Sequence, residues 1–102
     1  MLGIGVWEFP VNTMGFSGTV HIDITDNGGK YGFALRVPGQ QFPPVRIMRV
    51  ERRGDTLHIR ARVPQLPNRD IPVAITFDGD QAVGTVSAPF VGRVVLHGRR
   101  TA

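Results

Sequence analysis

Apolar and polar residues alternate with a period of two along most of this chain, in segments of about eight residues. In "GTVHIDIT" (18–25), Val20, Ile22 and Ile24 share one face while Thr19, His21 and Asp23 share the other. "TLHIRARV" (56–63) opposes Leu57, Ile59, Ala61 and Val63 to His58, Arg60 and Arg62. "DIPVAITF" (70–77) presents Ile71, Val73, Ile75 and Phe77 on one side. Successive side chains of a strand point to opposite faces, so each segment reads as a strand with one buried and one wet face. No window carries the 3.6-residue period of a helix. The pattern predicts strands at 5–12, 16–25, 30–37, 44–52, 56–63, 70–77, 81–88 and 91–99.

The connections fall into two alternating classes. "DNGG" (26–29), "RRGD" (52–55) and "DGD" (78–80) are short, polar and glycine-bearing, the chemistry of tight hairpins. "NTMGF" (12–16), "PGQQFPP" (38–44), "PQLPNRD" (64–70) and "APFVG" (88–92) instead carry Met14 and Phe16, Phe42, Leu66 and Phe90. Alternate connections of an up-and-down meander lie at the same end. One end is therefore expected to be closed by polar turns and the other rimmed by apolar loop tips. Eight short strands expose edges unless the sheet closes on itself. The expected fold is an all-β, eight-stranded antiparallel up-and-down barrel, one domain over 1–102, with a two-sheet β-sandwich as the alternative.

Composition narrows the chemistry. The chain has no cysteine, which removes disulfides, thiolate metal sites and thiol nucleophiles. Apolar runs are too short for a membrane helix, and "MLGIGVWEF" lacks the charged and long apolar regions of a signal peptide, so a cytoplasmic location is expected. Eleven arginines stand against the single Lys30, for a net charge of +4. Arg36, Arg46, Arg60 and Arg62 form an outer stripe on strands three to five, without the aromatics that nucleic-acid-binding barrels interleave for base stacking. It reads as a solvated surface, not a nucleic-acid track.

Gly5-Val6-Trp7 resembles the Gly-x-Trp signature of the calycin superfamily, the lipocalins and streptavidin-like barrels. In that family the tryptophan closes the first strand and is covered by an arginine from late in the last. The resemblance implies that Trp7 is a structural plug at the polar-turn end, with Arg99 stacked over it by a cation–π contact. The chain is shorter than a lipocalin and has no helix after its last strand. "GDTLHI", "FDGDQAVGTVS" and "VVLHGRR" also resemble compact bacterial barrel modules, some attached to hydrolases.

Sorted by height, the inward residues form a taper. Trp7, Phe9, Ile24, Tyr31, Phe33 and Leu57 are expected near the closed end, and Val11, Gly18, Val20, Val63 and Val73 near the rimmed end. Two shapes fit: a shallow cup for a small molecule, or a core capped by the loop tips. Strand four is ambiguous in phase, and a bulge near 47–48 would place Arg49 outside. His21, His58 and His97 match no metal-ligand spacing, Ser17 and Ser87 lack a base, and no paired carboxylates face the lumen, so neither a metal, a cofactor nor a catalytic residue is expected.

The leading expectation is binding of an apolar small molecule at the mouth by Met14, Phe16, Phe42, Leu66 and Phe90, with Tyr31 and Phe33 below. The alternatives are a barrel cyclase or isomerase that orients a flexible apolar substrate, and a protein–protein or homo-oligomerisation module built on the same tips.

Overall fold

Three two-residue turns set the registers of three hairpins. Asn27 pairs with Lys30 across Gly28-Gly29, Arg53 with Thr56 across Gly54-Asp55, and Asp78 with Gln81 across Gly79-Asp80. Gly28 and Gly29 both adopt positive φ, 68° and 91°, which side-chain-bearing residues resist. The Gly29 N–H donates to Asp26 Oδ1 at 2.7 Å, so this turn acid serves turn geometry.

The computed structural model describes residues 1–13, 16–39, 45–64, 68–88 and 92–102. The strands are β1 (Gly5–Thr13), β2 (Phe16–Asn27), β3 (Lys30–Arg36), β4 (Arg46–Arg53), β5 (Thr56–Arg62), β6 (Ile71–Asp78), β7 (Gln81–Ala88) and β8 (Gly92–Arg100). All eight lie within two residues of the bounds that alternation predicts, and the described residues contain no helix. The strands form one antiparallel sheet in the order β3-β2-β1-β8-β7-β6-β5-β4. One sheet replaces the two-sheet alternative, and β1 meets β8 to make a nearly closed barrel.

Closure through β1 and β8 is short but reinforced. Among the described residues only Trp7↔Arg100 and Glu8↔Arg99 pair as ladder partners. Beyond them the Val6 N–H donates to the Ala102 carbonyl at 3.0 Å, and the Thr101 N–H to the Val6 carbonyl at 2.7 Å.

The remaining gap falls between β3 and β4, the two ends of the sheet. Strands three and four are therefore consecutive in sequence but not ladder neighbours, which divides the expected arginine stripe. Leu35 shares the inward phase of Ile22, its partner on β2, yet is 36% exposed, and no described strand pairs with β3 on its other side. On β4 the register slips between Ile47 and Arg49, a bulge that absorbs Met48 and leaves it 42% exposed. That slip resolves the phase conflict of strand four. Ile47 and Val50 pack on the core, and Arg49 projects outward.

Candidate functional site

The closed end is a packed floor whose indole and phenol groups are hydrogen-bonded. Trp7 is fully buried, its ring 4.9 Å from that of Phe77, and its Nε1–H donates to the Gly3 carbonyl at 2.8 Å. The Tyr31 hydroxyl donates to the Leu2 carbonyl at 2.8 Å. Buried indole and phenol groups need such partners, and here the chain preceding β1 supplies both. Gly5 has φ of 144°, and a Cβ there would meet the Ala102 carbonyl oxygen at 2.7 Å and Arg100 Nη1 at 2.9 Å. The glycine of Gly-x-Trp is thus required by backbone conformation and by the close approach of the C-terminal segment.

The arginine over the indole is Arg100, not Arg99. Its guanidinium carbon lies 4.7 Å from the ring centroid. Pairing of Trp7 with Arg100 gives these two a common face and turns Arg99 outward. There Arg99 pairs with Glu8 at 2.8 Å. Arg100 also donates from Nη1 to the Ile4 carbonyl, and its Nε lies 3.3 Å from Asp80 Oδ1 at an angle that makes an ion pair without a hydrogen bond.

Above the floor, Phe9 fills the barrel's waist. Its ring packs over Gly84 and Gly98, where a Cβ at Gly98 would approach to 2.5 Å. Ile24, Ile59 and Ile75 complete this buried layer, and Tyr31, Phe33 and Leu96 pack against it. Higher still, the inward side chains Val11, Val20, Val63, Val73, Val86 and Val94 are only half-buried, although Val37 and Ala61 are buried. Among the described residues no acid, base or nucleophile occupies this upper wall.

Of the residues expected to bind ligand, Tyr31 and Phe33 sit side by side on β3 with rings stacked at 5.9 Å. The Tyr31 hydroxyl serves the floor. Met14, Phe42, Leu66 and Phe90 lie outside the described residues, and Phe16 is described only as a backbone partner of Thr13. The part played by Leu2, Gly3 and Ile4 escapes sequence reasoning, because no alternation marks a segment that precedes the first strand.

On the outer wall, Arg36 pairs with Asp23 at 3.6 Å and Arg62 with Asp70 at 2.7 Å. No group of three His, Asp or Glu side chains suited to a metal ion occurs among the described residues.

The molecule is, in class, a small eight-stranded antiparallel β-barrel, nearly closed, with one sealed end. No family model matches the chain, and neither a curated protein nor a solved structure matches it significantly.

Proposed function

We propose that this barrel is a calycin-type binding module that takes a small apolar molecule into the upper lumen, without covalent chemistry. The observation that carries the reading is the contrast between floor and wall. The floor is packed and its indole and phenol groups are hydrogen-bonded, whereas the wall above it is apolar and half-buried. A concave apolar surface over a rigid base is the usual form of a small-molecule site. The Gly-x-Trp signature with a late arginine over the ring supports the calycin assignment. Charged outward residues such as Glu8, Arg49, Arg60 and Arg99 suit an aqueous rather than a lipid surrounding, in keeping with a cytoplasmic location.

An environment-sensitive apolar dye tests the reading. The wild type is expected to bind it, and Val86→Phe or Val94→Phe, which would fill the upper lumen, are expected to weaken binding while the fold persists. Phe42→Ser and Phe90→Ser weaken it too if the rim contributes, and Arg60→Ser leaves it unchanged. A dye indifferent to the lumen-filling variants overturns the proposal. A fall in apparent mass with the Phe variants, without loss of dye, favours the homo-oligomer instead.

A further inference from the structure

The outer wall carries a trough across β4, β5, β6 and β7 with a volume of about 410 Å³, within the range of small-ligand sites. Residue size produces it. Its high side is built of long side chains, with Arg49, Glu51 and Arg53 on β4 and His58 and Arg60 on β5. Its floor continues over short ones, Pro72 and Ala74 on β6 and then Ser87 on β7. The registers explain the juxtaposition, since Arg60 stands opposite Pro72, and His58 opposite Ala74.

The charges on the high side are not balanced. Arg49 and Arg60 are direct cross-strand partners, and like charges so placed repel. One carboxylate, Glu51, serves the cluster. It accepts a hydrogen bond from Arg53 Nε at 3.0 Å and has Arg49 Nη2 at 3.6 Å. The hydrogen bond and charge of Arg53, then the charges of Arg49 and His58, hold the Glu51 carboxyl below the usual carboxylate range. It therefore stays ionised, already engaged by its own strand. Arg60 makes no ion pair among the described residues.

We propose that this trough is an anion site, separate from the lumen, for a terminal phosphate group, free or as the monoester of a small polar alcohol. A dianion between Arg49 and Arg60 turns their repulsion into two charge-assisted contacts, for which the guanidinium fork is well shaped. The His58 imidazole and the Ser87 hydroxyl offer further donors to the anion or its carrier. Arg93, the β8 partner of Ser87, places another cation beyond the far side. No phenylalanine, tyrosine or tryptophan is among the described residues that line the trough, which disfavours nucleic acid, whose bases stack best on such rings.

Calorimetric titration of the full chain with inorganic phosphate, glycerol phosphate and single-stranded oligothymidylate tests the site. Saturable one-to-one binding of phosphate and glycerol phosphate is expected. Tighter binding of the ester identifies the monoester as ligand, and equal affinity identifies free phosphate. Arg49→Gln and Arg60→Gln should each weaken binding by about tenfold, as expected for loss of a charged hydrogen bond. Glu51→Gln should strengthen it, while Arg99→Gln, on another part of the wall, leaves it unchanged. All four positions are on the outer wall, so retained melting transitions will show that the variants fold. The proposal is overturned if neither phosphate compound saturates, or if Arg99→Gln weakens binding as much as Arg60→Gln. Binding of oligothymidylate alone also overturns it, making the trough part of a polyanion track.

Discussion

Trp7 shows how much one side chain can organise. Its indole needs a hydrogen-bond acceptor, a ring neighbour and a cover, and it finds them in Gly3, Phe77 and Arg100 respectively. Arg100 makes the cover durable because the same guanidinium also reaches the Ile4 carbonyl. Arg100→Ala should therefore red-shift Trp7 emission and cost about 1–2 kcal/mol, from a cation–π contact with part of its solvation removed. Arg99→Ala removes an ion pair whose arginine is mostly exposed, so it should leave the spectrum unchanged and cost at most about 0.5 kcal/mol. Emission spectra and chemical unfolding of the two variants check this. The reverse ranking would mean that Arg99 covers the ring in solution.

Hairpins and connections divide the labour between register and reach. The Gly79-Asp80 turn does more than join β6 to β7, because the Asp80 carbonyl accepts the Arg100 N–H at 2.8 Å. An extra residue between Gly79 and Asp80 would shift the facing of β7 and also displace the arginine end of β8. The same insertion after Asn68, in the connection from β5 to β6, only lengthens a longer loop and should cost less than about 0.5 kcal/mol. Thermal unfolding of the two insertion variants should show a large loss in the first and a small one in the second. Equal losses would contradict the assignment of tight turns to the closed end. The bulge at Met48 belongs to the same level of organisation. It was legible as a clash of two phases in one strand, Ile47 against Val50, that only an extra residue reconciles.

The barrel as a whole is closed on one side and open on another. β1 and β8 join through a short ladder and the C-terminal backbone, while β3 and β4 face each other across an unpaired seam. Outward charges line both borders, with Lys30 and Arg36 on β3 and Arg46, Arg49 and Arg53 on β4. Charged edges of this kind discourage further strand pairing. A gap of about 370 Å³ at the seam lies between Tyr31 on one side and Ile47 and Val50 on the other. Among the described residues, seam-directed amides of β3 and β4 lack ladder partners, so hydrogen exchange there should outpace exchange in β7, which is paired on both sides. Uniform protection across all eight strands would mean that the seam is closed in solution.

Strand number, strand limits to within two residues and the inward face of every strand but β4 followed from the sequence alone, because a period of two is a local property of extended backbone. The two-residue turns followed as well, since glycine answers the local demand for positive φ. The burial of Trp7 was legible too, from Gly-x-Trp at the head of the first strand. Which arginine covers it was not, because Arg99 and Arg100 differ only by the register of β8 against a strand some ninety residues earlier. The division between β3 and β4 was equally hidden, for their sequences read as neighbours and only closure of the sheet through β1 and β8 leaves them as its ends. The trough beside Arg49 and Arg60 also came from tertiary structure. It needs long side chains on β4 and β5 to stand beside short ones on β6 and β7, and lateral register is set by pairing, not by any single strand.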